Sequence, residues 1–415
     1  MAIGLITPLS ATANEFKLED MAGYSSAKSK AFYSSPKVKS ISEFNSTQDL
    51  AITNSSVDNL NVSLNNFEAG SFSETTTMSG AAAFQVGGVD NGNVTQALTN
   101  TYSYSMDLNS SFTGDDNLYI GIETGNASGV NFVTDGSVSG SSDTLSVASI
   151  FYQFPYKGLD IAVGPKLDND DLMPTTTSAY SDKFFMAGYA LLESNAYLYG
   201  YKGAGVAVSK NFDNGFNTSG SIIGTGAATS AGILTEEGMD IITLSAGYDG
   251  ENFGGGIVYV DGDDYCGIVN SFISNGCSNV LGVSSLAINS IGIGGYWTPN
   301  EGKTTISATA NILKPDVRGI NIDDITDYQI AVEQQVFDGV LSASWKTIPL
   351  YKVVSSTDWN KDTLGSYLEV YYTQSVNDSL DLTYGITMAD PDTESGDSFE
   401  LYDYTAIGAQ ATFKF

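Results

Sequence analysis

The sequence predicts an all-β fold, a transmembrane antiparallel β-barrel of about sixteen strands, with a short N-terminal helix and an inward-folded third loop. Three observations carry that expectation. The chain ends on a strand that alternates apolar and polar residues and closes on the aromatic Phe415. The same period-two alternation recurs from residue 72 onward. The connections between these segments alternate short and long, which places tight turns on one rim and long loops on the other.

Taken in order, residues 1–13 read as the tail of a signal peptide. A short apolar run is followed by Ala11-Thr12-Ala13, an A-x-A cleavage pattern, without a basic region before it. Residues 14–54 form a polar periplasmic arm that holds Lys17, Lys28, Lys30, Lys37 and Lys39. Residues 55–70 begin with the capping pattern Ser55-Ser-Val-Asp58 and place Val57, Leu60, Leu64 and Phe67 at heptad spacing. This predicts a short helix, open to two uses: a trimeric coiled coil, or a helix packed on its own barrel as a plug.

The barrel is expected over residues 72–415. In its first strand Met78, Gly80, Ala82, Phe84 and Val86 alternate with Thr77, Ser79, Ala81, Ala83 and Gln85. In the last, Ile407, Ala409, Ala411, Phe413 and Phe415 alternate with Ala406, Gly408, Gln410, Thr412 and Lys414. A residue period of two sends one set outward and the other inward. The pattern predicts strands at 72–87, 98–110, 117–125, 144–156, 159–166, 198–211, 215–226 and 239–250. It predicts a second set at 252–261, 284–297, 302–313, 326–337, 339–349, 365–375, 379–389 and 403–415. Short turns such as Lys157-Gly158, Asp213-Asn214-Gly215, Asp338-Gly339 and Asn377-Asp378 carry the Gly, Asn and Asp that hairpins need. With the N-terminus on the short-turn rim, every short turn and Phe415 fall on one side, expected to be periplasmic. Phe415 then reads as the assembly signal for the barrel-assembly machinery. Lipid and lipopolysaccharide are the partners expected for the outward face.

Composition narrows the function. The chain has 415 residues, 42% hydrophobic content and a formal charge of −31, too apolar and aromatic for a disordered acidic chain. It has no His, which removes the commonest general base and metal ligand and argues against an enzyme. Arg318 is the single arginine, and without clustered cations nucleic acid is not an expected partner. Cys266 and Cys277 share one loop and suggest a disulfide, with two free thiols as the alternative. No cofactor is expected. The acidic pairs in Asp261-Gly-Asp-Asp264 and Asp323-Asp324 are weak candidates for loop-bound Ca²⁺, since no EF-hand spacing is present.

A barrel of this strand number leaves a water-filled lumen unless something narrows it. The segment 167–197 carries the apolar run Phe184–Leu192, which a solvated loop does not need, so it is expected to fold inward. The alternative is an outward loop that packs on a neighbouring subunit. The expected constriction residues are Lys166, Asp168, Asp170, Asp171, Asp182 and Glu193. The expected pore wall carries Asp107, Glu123, Asp160, Glu333, Lys346 and Glu369. Excess carboxylates favour cations, while Lys166 or Lys346 at the narrowest point would favour anions. Tyr180, Tyr189 and Tyr197 offer stacking surfaces for a sugar or another nutrient. Gly254-Gly-Gly256, inside a strand, predicts close contact or strong curvature. A secreted adhesin built as a β-solenoid is a third reading, weakened by the lack of any fixed short repeat.

Three runs resemble cyanobacterial outer-membrane porins, in particular those of marine picocyanobacteria, which are distantly related to carbohydrate-selective porins. They are Phe67–Thr76, Leu108–Gly125 and Val163–Leu172. The resemblance spans roughly residues 55–415 and implies a trimeric sixteen-stranded channel for ions and small solutes. That family carries an N-terminal surface-layer-homology domain, which residues 14–54 are too short and too polar to form. Lys166 stands where the family pattern expects a basic residue. The acidic residues after it keep the family's ion selectivity from carrying over.

Overall fold

The computed structural model describes residues 75–90, 98–126, 143–180, 201–228, 232–234, 240–263, 287–299, 302–316, 321–355, 358–390 and 404–415. The expected signal peptide, periplasmic arm and N-terminal helix lie outside the described residues.

Alternation and turn chemistry produce a continuous antiparallel sheet. The first half contains β1 (Thr76–Asp90), β2 (Thr99–Ser110), β3 (Asn117–Gly125), β4 (Ser146–Tyr156), β5 (Leu159–Asp168), β6 (Lys202–Asn211), β7 (Phe216–Gly224) and β8 (Asp240–Asp249). The second contains β9 (Phe253–Gly262), β10 (Ala287–Trp297), β11 (Thr304–Asp316), β12 (Asn321–Ile322), β13 (Ile325–Val336), β14 (Gly339–Ser355), β15 (Asp358–Asn377), β16 (Leu380–Asp390) and β17 (Tyr404–Lys414). Each long strand pairs with its sequence neighbours, and β1 pairs with both β2 and β17, so the sheet closes on itself. Sixteen strands make the wall. β12 is a two-residue bridge parallel to the start of β15.

The short connections after β2, β4, β6, β8, β10, β13 and β15 all lie on one rim. Lys157 and Gly158 both have positive φ, 52° and 77°, as a two-residue hairpin turn requires. On the opposite rim the long connections 126–145, 169–201, 225–239, 263–286 and 391–403 follow the expected alternation. The β14–β15 hairpin departs from it. Strands expected at 339–349 and 365–375 instead run to Ser355 and from Asp358, joined by two residues. Here the extra length sits in the strands, where outward–inward alternation fades and the pattern reads as loop. β12 is too short to carry any period.

The sheet is apolar outside and polar inside. Phe84, Ile293, Ile330 and Ile407 are each more than half exposed on the outer face, while Gln85, Ser290, Asn311 and Gln410 are buried on the inner one. Water-soluble folds do the reverse, and large apolar patches left open mark a surface meant for a nonpolar medium. Aromatic rings gather outside near the short-turn rim. Phe216 meets Tyr248 at 5.2 Å, Tyr248 meets Phe253 at 5.5 Å and Tyr372 meets Tyr384 at 5.6 Å between ring centroids. Such a girdle suits the interface between hydrocarbon and water.

Phe415 sits at the seam. Its backbone exchanges two hydrogen bonds with Gly80, at 3.0 and 3.1 Å. Its ring occupies the space a Cβ on Gly80 would need, 2.6 Å from that position, and stacks on Tyr104 at 5.9 Å. The last residue thereby lies in a notch on the first strand, on the rim of the short turns.

Candidate functional site

The lumen is built from the inward positions of sixteen strands and from the first part of the third loop. Residues 169–180 turn into the barrel and run along its inner wall. Asn169 Nδ2 donates to Thr243 Oγ1 on β8 at 2.9 Å, and its carbonyl accepts from the Ser221 hydroxyl on β7 at 2.6 Å. The Thr175 hydroxyl donates to Asn217 Oδ1 at 2.8 Å and lies 2.7 Å from the Ser245 hydroxyl. The Ala179 amide donates to Ser307 Oγ on β11 at 3.1 Å. The Tyr180 hydroxyl donates to Glu369 Oε1 on β15 at 2.5 Å, and its ring rests on Tyr371 at 6.0 Å. The segment thus crosses from β7 to β15 and is pinned at each end. The expected inward fold of the loop is observed over these residues. The apolar run Phe184–Leu192 lies outside the described residues.

Hydrogen bonds made away from water are costly to leave unmade, which holds such a segment in place. Burial, and the Glu369 carboxylate beside it, keep the Tyr180 phenol protonated well beyond its ordinary range. Tyr180 is therefore no open stacking surface; Tyr189 and Tyr197 lie outside the described residues.

The wall of β2 to β5 is different. Asp107, Glu123 and Asp160 all take inward positions and are half-exposed. The Tyr119 hydroxyl donates to Asp107 Oδ1 at 2.6 Å, and its ring tilts against Phe151 at 5.0 Å. Glu333, on β13, is also inward and accepts from the Ser342 hydroxyl at 3.1 Å. It borders a cavity of ≈ 570 Å³ at the short-turn rim, shared with Lys303, Thr305, Ser375, Asp381 and Lys414. In that cavity Lys414 pairs with Asp381, which also accepts from Ser375 Oγ at 2.7 Å.

Other expected site residues sit differently. Lys346 and Glu369 are inward, but both are almost fully buried, so neither meets the open lumen. Lys166 is displaced by a bulge: the register of β5 slips between Gly164 and Leu167. Lys166 pairs with outward-facing Ile150, and its ammonium donates to the Val147 carbonyl. The bulge takes it to the outer face and out of the expected constriction. Asp168, Asp170 and Asp171 stay together at the loop entrance. Asp168 faces Lys202 at 3.5 Å, and its amide donates to Asp171 Oδ2 at 2.8 Å. Burial pushes the Asp171 carboxyl up to about 6, and Asp170 adds to the shift.

Asp182 and Glu193 lie outside the described residues, as do Cys266 and Cys277 with their expected disulfide. Among the described residues no group of three or more His, Cys, Asp or Glu side chains is placed to hold a metal. Asp324 instead faces Lys314 at 3.8 Å. Sequence reasoning missed Asn169, Thr175 and their partners Ser221, Thr243 and Ser245. The signal available was the density of small hydroxyl residues at inward positions of β7 and β8.

No family profile matches the chain, and no curated relative does. Solved structures do match. OprB of Pseudomonas putida shares 13% identity at a TM-score of 0.56, over 82% of this chain and 94% of that one. The anion-selective porin from Comamonas acidovorans shares 12% at 0.56, over 82% and 99%. OmpT of Vibrio cholerae, an outer membrane protein in trimer form, shares 13% at 0.56, over 82% and 99%. At such identity the likeness shows the fold, a porin-like closed barrel. The cyanobacterial affinity and the link to carbohydrate porins rest on the three quoted runs alone.

Proposed function

We propose that this chain is an outer-membrane porin, a water-filled channel for passive diffusion of ions and small hydrophilic solutes, with a preference for cations. The observation that carries the reading is the inverted barrel with a loop laid across its inner wall. An apolar exterior belongs in lipid, and a hydrated interior narrowed by a loop belongs to a size-limited channel. A passive channel needs no enzyme chemistry, and the absence of His accords with that.

The preference for cations rests on which charges reach the lumen. Asp107, Glu123, Asp160 and Glu333 are inward and half-exposed. Of the inward lysines named above, Lys346 is buried, Lys414 is paired with Asp381, and Lys303 stands beside Glu333 in the cavity at the short-turn rim. Carboxylates lining a narrow aqueous space lower the entry barrier for positive charge. One structural neighbour is named as anion-selective, so the fold alone does not set the sign; the lining does.

In this reading both ends of the barrel chain face the periplasm, and Phe415 in its notch on Gly80 is the feature presented to the assembly machinery. A homotrimer accords with the trimer form of one neighbour. Planar-bilayer recording of the purified chain tests the function. Stepwise current increments are expected, and their absence at high protein concentration would sink the reading. Block by sugars at low concentration would favour a substrate-selective channel instead.

A further inference from the structure

The register aligns three glycines in one row of the inner wall. Gly247 on β8 faces Gly256 on β9, which faces Gly294 on β10. The loop lies on that row. A Cβ on Gly256 would stand 2.2 Å from Thr175 Cγ2, and one on Gly247 2.7 Å from the same atom. A Cβ on Gly294 would stand 2.4 Å from the Thr177 carbonyl oxygen. Heavy atoms do not approach this closely, so the row is a groove about one methyl group deep that the loop fills. On either side the groove gives way to the hydrogen bonds of Asn169, Ala179 and Tyr180, which fix where the segment enters and leaves.

We infer that Gly247, Gly256 and Gly294 determine the bore of the channel. They set how deeply residues 175–177 seat in the wall and therefore how far the segment 169–180 stands into the lumen. The inference rests on the channel reading above. It assigns the limit on solute size to positions that no solute touches, and leaves ion preference to the carboxylates of the opposite wall. Adding a methyl group at Gly256 would ask Thr175 to withdraw by about 1.2 Å to reach ordinary contact. The Ala246 carbonyl, 2.9 Å from the same position, asks for a much smaller shift.

Single-channel conductance of Gly256→Ala and Gly294→Ala tests this, with folding checked by heat-modifiable mobility on gels. Each folded variant is expected to conduct less than the parent, by a factor on the order of 1.5, since current follows the open cross-section. Thr175→Ser removes the methyl group that Gly256→Ala would strike, so the double variant is expected to recover the parent conductance. Gly220→Ala faces lipid on β7, where its nearest neighbour would be Leu244 at 3.2 Å, and is expected to change nothing. Should Gly256→Ala not fold, Gly247→Ala asks for a smaller displacement and decides the matter. Folded variants that all conduct like the parent would overturn the inference and leave the channel reading standing, as would failure of Thr175→Ser to rescue. A parent chain that passes no current would overturn both.

Discussion

Two stretches of the inner wall use the same fold for opposite ends. From β7 to β11 the inward positions beneath the loop are uncharged and chiefly Ser, Thr and Gly, with Asp249 and Tyr296 set towards the short-turn rim, and the loop lies on them. From β2 to β5 they include Asp107, Glu123 and Asp160, and these stay half-exposed. A charge under the loop would lose water without gaining a partner, whereas a charge on the open wall keeps its hydration. The uncharged stretch beneath the loop therefore serves as a seat, and the charged stretch faces the open lumen.

The sharpest break of this comparison is to move a charge. Thr243→Asp places a carboxylate at a position buried beneath Asn169. A loss of about 3 kcal/mol in stability is expected for a buried charge with no counter-ion, read by urea unfolding in lipid. Gln153→Glu, half-exposed on β4, is the matching change on the open wall, and a loss within about 0.5 kcal/mol is expected. Equal costs at the two sites would erase the distinction.

Next in size is the pin of the seated loop. Tyr180→Phe removes the hydroxyl that donates to Glu369. A local loss of about 2 kcal/mol is expected, because the acceptor is charged and buried. It should appear as faster hydrogen exchange of residues 175–180 and as noisier open-channel current. Unchanged exchange would mean the bond holds nothing.

Third is the ion preference itself. Neutralising Asp107, Glu123 and Asp160 together should lower the K⁺ to Cl⁻ permeability ratio by roughly threefold. Removing Lys166 with Gln should leave the ratio unchanged, since the bulge has taken it to the outer face. The smallest effect is with pH. The Asp171 carboxyl is raised to about 6, with Asp168, Asp170 and Lys202 around it, so it is ionised only above that value. Cation preference should weaken slightly as pH falls through about 6 and recover on return. A preference that grew on acidification would contradict the assignment.

Most of the wall was legible because each strand needed only alternation and a turn residue at its end. β3 is observed at the expected residues 117–125, and the other fifteen long strands overlap the segments expected for them. Lys166 was misread for a reason of geometry. Alternation carried inward from Asp160 through Ala162 and Gly164 reaches Lys166, but one extra residue in the bulge flips the side. The loop's seat was half legible. Gly254-Gly-Gly256 announced a close approach, yet nothing local named Thr175, because its partners Asn217 and Ser245 are far along the chain. Glu369 and Lys346 look like pore charges in sequence, and only the structure shows that both are buried, Glu369 beneath Tyr180 of the loop.

On the function proposed above, the acidic open wall makes this barrel prefer cations. The reversal potential of the purified protein in a planar bilayer under a KCl gradient tests it directly. A potential of the sign set by K⁺ is expected; a potential set by Cl⁻ would contradict the assignment.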